Sequence, residues 1–181
     1  MSSRPFEPRH LDLRRFAAEG AELSGEWALP ELVRLSDSAS SERPPSADDR
    51  VAWHARGEQT TGVEPQIWMH LEARTALALQ CQRCLAPLDV DVEVNRRFRF
   101  VTGEAAAAEL DAESEDDVLA LTRDLDLQEL VEDELLLALP LVPMHEECPE
   151  PLTPPETVAV EEAVSNPFAV LAALRRETPD G

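Results

Sequence analysis

The sequence predicts an α+β fold: an antiparallel β-sheet built on one long hairpin, with one packed acidic helix and short terminal helices. Two long stretches of alternating apolar and polar residues follow one another across a short turn. A single amphipathic helical segment, closed by a proline, comes after them. With 181 residues and 43% apolar content the chain suits one domain with a real core, spanning 1–176. Its 15 prolines against 6 glycines gather in a few segments. That clustering implies a compact body interrupted by flexible connectors near 36–49, 102–117 and 149–165.

In chain order, residues 9 to 19 read as a short helix. Leu23, Gly25, Trp27 and Leu29 then alternate with polar positions as a half-buried strand does, and Pro30 to Leu35 make one or two helical turns. Ser/Pro-rich 36–49 is the first connector, and a strand resumes at Val51, Trp53 and Ala55. From Ile67 to Cys81 the odd positions carry the apolar set, Ile67, Met69, Leu71, Ala73, Leu77 and Leu79. From Leu88 the even positions take over, with Val90, Val92, Val94, Phe98 and Phe100. The two strands face one core, and CQRCLAP joins them.

Acidic, Ala-rich 102–117 reads as a solvated spacer. Asp126 then N-caps a helix whose stripe is Leu127, Leu130, Val131, Leu135 and Ala138, stopped by Pro140. Glu129, Glu132 and Asp133 share the opposite face as an anionic ridge, a candidate partner-binding surface beside its simpler reading as a solvated face. After Pro/Glu-rich 149–165, Asn166 caps a short helix with Pro167 at its first position. Asn166, Pro167 and Phe168 are candidate docking residues.

Charge narrows the function. There are 37 Asp+Glu against 16 Lys+Arg, a formal net charge of -21. Such a balance opposes bulk binding to nucleic acid phosphates or to an anionic membrane surface, and favours a basic protein partner such as a ribosomal protein. No lysine occurs, so a Walker A phosphate loop and a lysine Schiff base are excluded. No Gly-rich loop or nucleophile elbow appears, and His10, His54 and His70 are isolated. Neither an enzyme nor a small-molecule substrate is expected. The N-terminus lacks a signal-peptide core, and the expected location is the cytoplasm. One basic run, Arg96-Arg97-Phe98-Arg99-Phe100, would let Arg96, Arg97 and Arg99, with Arg83 at the turn, contact RNA. Strand alternation offers the simpler account, phenylalanines inward and Arg97 and Arg99 outward.

The three cysteines carry the remaining chemistry. Cys81-x-x-Cys84 sits in the turn, and His145-x-x-Cys148 follows the helix. Together these four supply the Cys3His set that zinc takes tetrahedrally, a closed and therefore structural site stapling the hairpin tip to the loop after the helix. Reduced thiols packed in a tight turn, or a redox pair, are the other readings.

The ordered set CQRCLAPL, then DLQELVEDELLLALPLVPMH with a cysteine soon after, then NPFAVLAALR, resembles the YceD family, the large ribosomal RNA subunit accumulation proteins. The family-like positions are Cys81, Arg83 and Cys84, then Glu132, Glu134, Leu135, Leu139 and Pro140, then His145, Cys148 and Asn166 to Ala169. The His145 to Cys148 spacing is shorter than is usual in the family. The resemblance implies a non-enzymatic bacterial cytoplasmic protein needed for accumulation of 23S ribosomal RNA. Its partner would be a large-subunit ribosomal protein or assembly factor, with ribosomal RNA contacted directly or indirectly.

Overall fold

A computed structural model of the protein describes residues 5–149. Five strands form one sheet in sequential order: β1 (Glu22–Ala28), β2 (Arg50–Gln59), β3 (Ile67–Gln80), β4 (Pro87–Val101) and β5 (Asp117–Ala120). The first four form an antiparallel meander, and β5 lies parallel to β4. The helices are α1 (Leu13–Ala18), α2 (Val33–Asp37), α3 (Glu104–Asp111) and α4 (Leu127–Leu137). The fold class is α+β, as the alternation requires.

Register follows from burial. Across the hairpin Leu79 faces Leu88, Leu77 faces Val90, Ala73 faces Val94, Met69 faces Phe98 and Ile67 faces Phe100. A one-residue slip would turn this whole set to water. The same face receives Leu13 and Phe16 of α1, Leu35 of α2, and Leu127, Val131 and Leu135 of α4, making one core. Phe16, Met69, Leu71, Leu127 and Leu135 are fully buried there. α1 approaches β2 so closely that a Cβ on Gly57 would lie 2.7 Å from the Phe16 carbonyl oxygen. The Gly57 N–H donates to Ala21 O at 2.9 Å across the same contact.

Three segments depart from expectation. The first helix starts at Leu13 because Asp12 caps it, accepting from the Arg15 N–H at 3.1 Å. Leu11 instead bridges Leu125. Within the expected spacer 102–117, residues 104–111 form α3 and Asp117 opens β5. Gly103, at φ 97, turns the chain into this crossover, and the Asp111 carboxylate accepts from the Val118 N–H at 2.9 Å. The segment 36–49 contains the end of α2 and is tied to the hairpin where the Ser40 N–H donates to Ala78 O at 2.7 Å. The expected connector beyond 149 and the Asn166, Pro167 and Phe168 docking set lie outside the described residues.

Candidate metal centre

At the end of β3 the backbone folds tightly around Cys81. The Cys81 N–H donates to Ala86 O at 3.0 Å, and the Leu85 N–H returns to Cys81 O at 2.9 Å. Leu85 adopts φ 65, a left-handed conformation that is strained for a branched side chain. This turn aims Cys84 back toward Cys81, and the Arg83 N–H points at Cys81 Sγ from 3.4 Å. Two thiols thereby share one side of a loop that Asn-Gly would have closed more easily.

The second pair arrives from α4. Asp126 caps that helix by accepting from the N–H groups of Gln128 at 2.9 Å and Glu129 at 3.1 Å. The chain leaves it before Pro140 and runs back along the turn, where the Gln82 N–H donates to Pro143 O at 2.9 Å. That bond delivers His145, whose Nδ1 stands 3.4 Å from Cys84 Sγ while Nε2 faces Pro87 O at 3.2 Å. A carbonyl only accepts, so Nε2 carries the proton and Nδ1 keeps its lone pair toward the sulfurs.

Ligand atoms of Cys81, Cys84, His145 and Cys148 all lie within 4.8 Å of one another. Zn–S bonds of about 2.3 Å give a tetrahedral edge of about 3.8 Å, so roughly 1 Å of contraction completes such a sphere. The short spacing from His145 to Cys148 does not prevent convergence. These four residues could therefore hold a metal ion, and their donor set fits zinc.

Electrostatics run in the same direction. The Cys81 thiol is pulled down to about 5, chiefly by the backbone N–H of Cys84, with those of His145 and Arg83 adding to it against burial. Cys148 is pushed up to about 11, first by burial and then by the Cys84 and Cys81 thiols. One sulfur is prepared as an anion while a neighbour resists becoming one, the conflict that a shared cation relieves. A redox pair usually draws on a helix N-terminus, and here both thiols sit in a strand-to-strand turn.

The other candidate residues scatter. Arg83 is exposed at the turn, whereas Arg97 and Arg99 lie near the far end of β4, roughly 30 Å away by strand rise. There Arg97 stacks 4.0 Å over the Trp68 ring and Arg99 lies 6.0 Å from it, both on the sheet face opposite α1, α2 and α4. Arg96 leaves that group, because its register opposite Leu71 turns it to the helical side. It pairs with Glu134 at 3.5 Å and Asp117 at 4.0 Å.

The anionic ridge is corrected too. Glu129 is exposed, but Glu132 is turned inward, where it accepts from the Arg34 and Leu35 N–H groups at 2.7 and 3.2 Å and from the Arg34 guanidinium. Asp133 bonds the same guanidinium at 2.6 Å. α2 has no side-chain cap of its own, and Glu132 serves it from another helix. No local motif announces such a contact, nor the roles of Pro87 and Gln82, which act through backbone groups.

The family model described as Large ribosomal RNA subunit accumulation protein YceD matches residues 69–175. The chain belongs to the YceD family. A curated member, the Large ribosomal RNA subunit accumulation protein YceD of Haemophilus influenzae, is 30% identical over 177 residues, covering 94% of this chain and 97% of that protein. No solved structure matches. The YceD match opens inside β3 and takes in the turn, α4 and all four ligand positions. Among the described residues no helix is long and apolar enough to cross a membrane.

Proposed function

We propose that the protein is a non-enzymatic factor promoting accumulation of 23S ribosomal RNA, and so large-subunit biogenesis, in the bacterial cytoplasm. The observation that carries this reading is the near end-to-end correspondence with a relative named for large ribosomal RNA subunit accumulation. It acts by binding a large-subunit ribosomal protein or assembly factor, a role that the net charge of -21 favours. Exposed Glu129 and the Asn166, Pro167 and Phe168 segment remain candidates for that contact. Zinc on Cys81, Cys84, His145 and Cys148 is structural here, cross-linking the hairpin tip to the loop after α4 with no position left for a reacting water.

The first test is the ratio of large- to small-subunit ribosomal RNA in cells lacking the protein. The ratio is expected to fall and to recover with a restored copy, and an unchanged ratio overturns the function.

A second reading, direct RNA binding, draws on the Arg97, Trp68 and Arg99 cluster, where neither guanidinium has a carboxylate partner among the described residues. Binding to free RNA that weakens steeply with salt would favour it. No binding at low salt would exclude it.

A further inference from the structure

The end of the molecule beside the metal-ligating loops carries large apolar side chains that the core does not use. Leu141 is 100% exposed, Leu137 75%, Val142 58% and Met144 48%, and Leu85 in the turn is 57% exposed. Apart from these, only Val33 and Val63 are large and apolar yet exposed among the described residues. Leu137, Leu141, Val142 and Met144 lie within eight residues of chain, and the Gln82 to Pro143 hydrogen bond seats this segment beside the turn. A cleft of about 390 Å³ opens alongside, between Ser38–Ser41, the end of β3 and Leu139, Pro140 and Pro143. Ser40, only 2% exposed, lines it with a hydroxyl that has no hydrogen-bond partner.

Exposed apolar side chains gathered along one short segment in this way mark a contact surface. Charge decides what it takes. The segments framing it, 37–43, 81–89 and 137–148, hold the carboxylates Asp37, Glu42, Asp89, Glu146 and Glu147. Their only guanidinium groups are Arg43, already paired with Asp89, and Arg83.

We propose that this acid-rimmed apolar face docks a basic segment of a protein partner, its apolar side chains against Leu141, Val142 and Met144. The segment's Lys and Arg residues meet the rim carboxylates, and the Ser40 hydroxyl supplies a hydrogen bond within the cleft. The same rim repels RNA phosphates. The inference rests on the protein-partner reading above, and it moves the main contact from the outer face of α4 to its exit loop. That loop is held by His145 and Cys148, so the metal cluster gives the docking face its shape.

Benzoylphenylalanine placed at Leu141 of the full chain in cells, with Val63 as the control position, tests this. Mass spectrometry of the cross-linked peptide is expected to find a partner segment of net positive charge with apolar residues at the point of attachment, and none from Val63. A synthetic copy of that segment should bind the Leu141→Ser/Val142→Ser double variant at least about tenfold more weakly than the wild type. Cross-links at Leu141 only to residues 150–181 of the same chain, only to a second copy, only to RNA, or to nothing would each overturn the proposal. Both substituted residues are more than half exposed, so the variant is expected to fold. In cells lacking the native protein, a wild-type copy that restores the ribosomal RNA ratio beside a double variant that restores it equally would sink the docking face alone. Failure of the wild-type copy would sink the function itself.

Discussion

His145 meets a sulfur with one ring nitrogen and a backbone carbonyl with the other, and this pairing fixes which atom offers its lone pair. Metal retention should therefore depend on each member of the cluster. Untagged wild-type protein is expected to hold about one zinc per chain, and Cys84→Ser only traces, with a lower melting temperature. Elemental analysis beside a thermal melt reads both, and a metal-free wild type that melts as high as a zinc-loaded sample would refute the site. Glu132 is the other residue with an outsized role. Glu132→Ala strands two N–H groups and leaves the Arg34 guanidinium with Asp133 alone, and is expected to cost about 1–3 kcal/mol in urea unfolding, with Glu132→Gln milder because it keeps an acceptor. Equal loss in the two variants would show that packing, not hydrogen bonding, sets the cost.

Among the elements, the approach of α1 to β2 depends on Gly57. A methyl group there would press on the Phe16 backbone, which cannot swing away as a flexible side chain would. Gly57→Ala is accordingly expected to destabilise by about 1–3 kcal/mol, measured by denaturant midpoint. α4 carries a pH signature. Burial raises the Glu134 carboxyl above the usual carboxylate range, with Asp117 and Asp133 adding to the rise and Arg96 opposing it. Such a group contributes stability that is fully present below the ordinary carboxylate value and is lost as pH rises through the folded value. Glu134→Gln should gain on the wild type as pH rises above the ordinary carboxylate range. A stability difference constant with pH would refute this.

The elements also show what a sequence can reveal. β3 and β4 were legible to within a residue or two, because alternation with one buried face leaves a single register. α4 was legible through its cap and its proline. β5 was not, since Asp-Val-Leu-Ala is too short to show a period and becomes a strand only by pairing with β4. α3 was obscured by its acidic, Ala-rich composition, and the inward turn of Glu132 by its dependence on Arg34, 98 residues away.

For the whole molecule, the sheet divides two environments. One face is sealed by α1, α2 and α4, and the other carries buried Trp68 beneath Arg97 and Arg99, with Val118 of β5 and Ala107 of α3 buried beyond them. The Cys81, Cys84, His145 and Cys148 group stands at the hairpin tip, outside that core, and two of its members belong to the loop carrying the exposed apolar run. Chelation should consequently disturb the exit loop before the sheet. Protease cleavage near Leu141 should rise on adding chelator while far-ultraviolet circular dichroism changes little. Loss of the sheet signal in step with the cleavage would place the ion in global folding instead.

The two halves of the cluster also reach the world at different times. Cys84 and His145 are separated by 61 positions. At a synthesis rate of about 5–20 residues per second, the cysteine pair waits about 3–12 s for His145, with Cys148 following close behind. During that interval the hairpin can form, but its two thiols stand alone against oxidants and stray ions. Closing the cluster is thus a late event in the birth of the chain, a mark that α4 has been made and laid down behind the sheet.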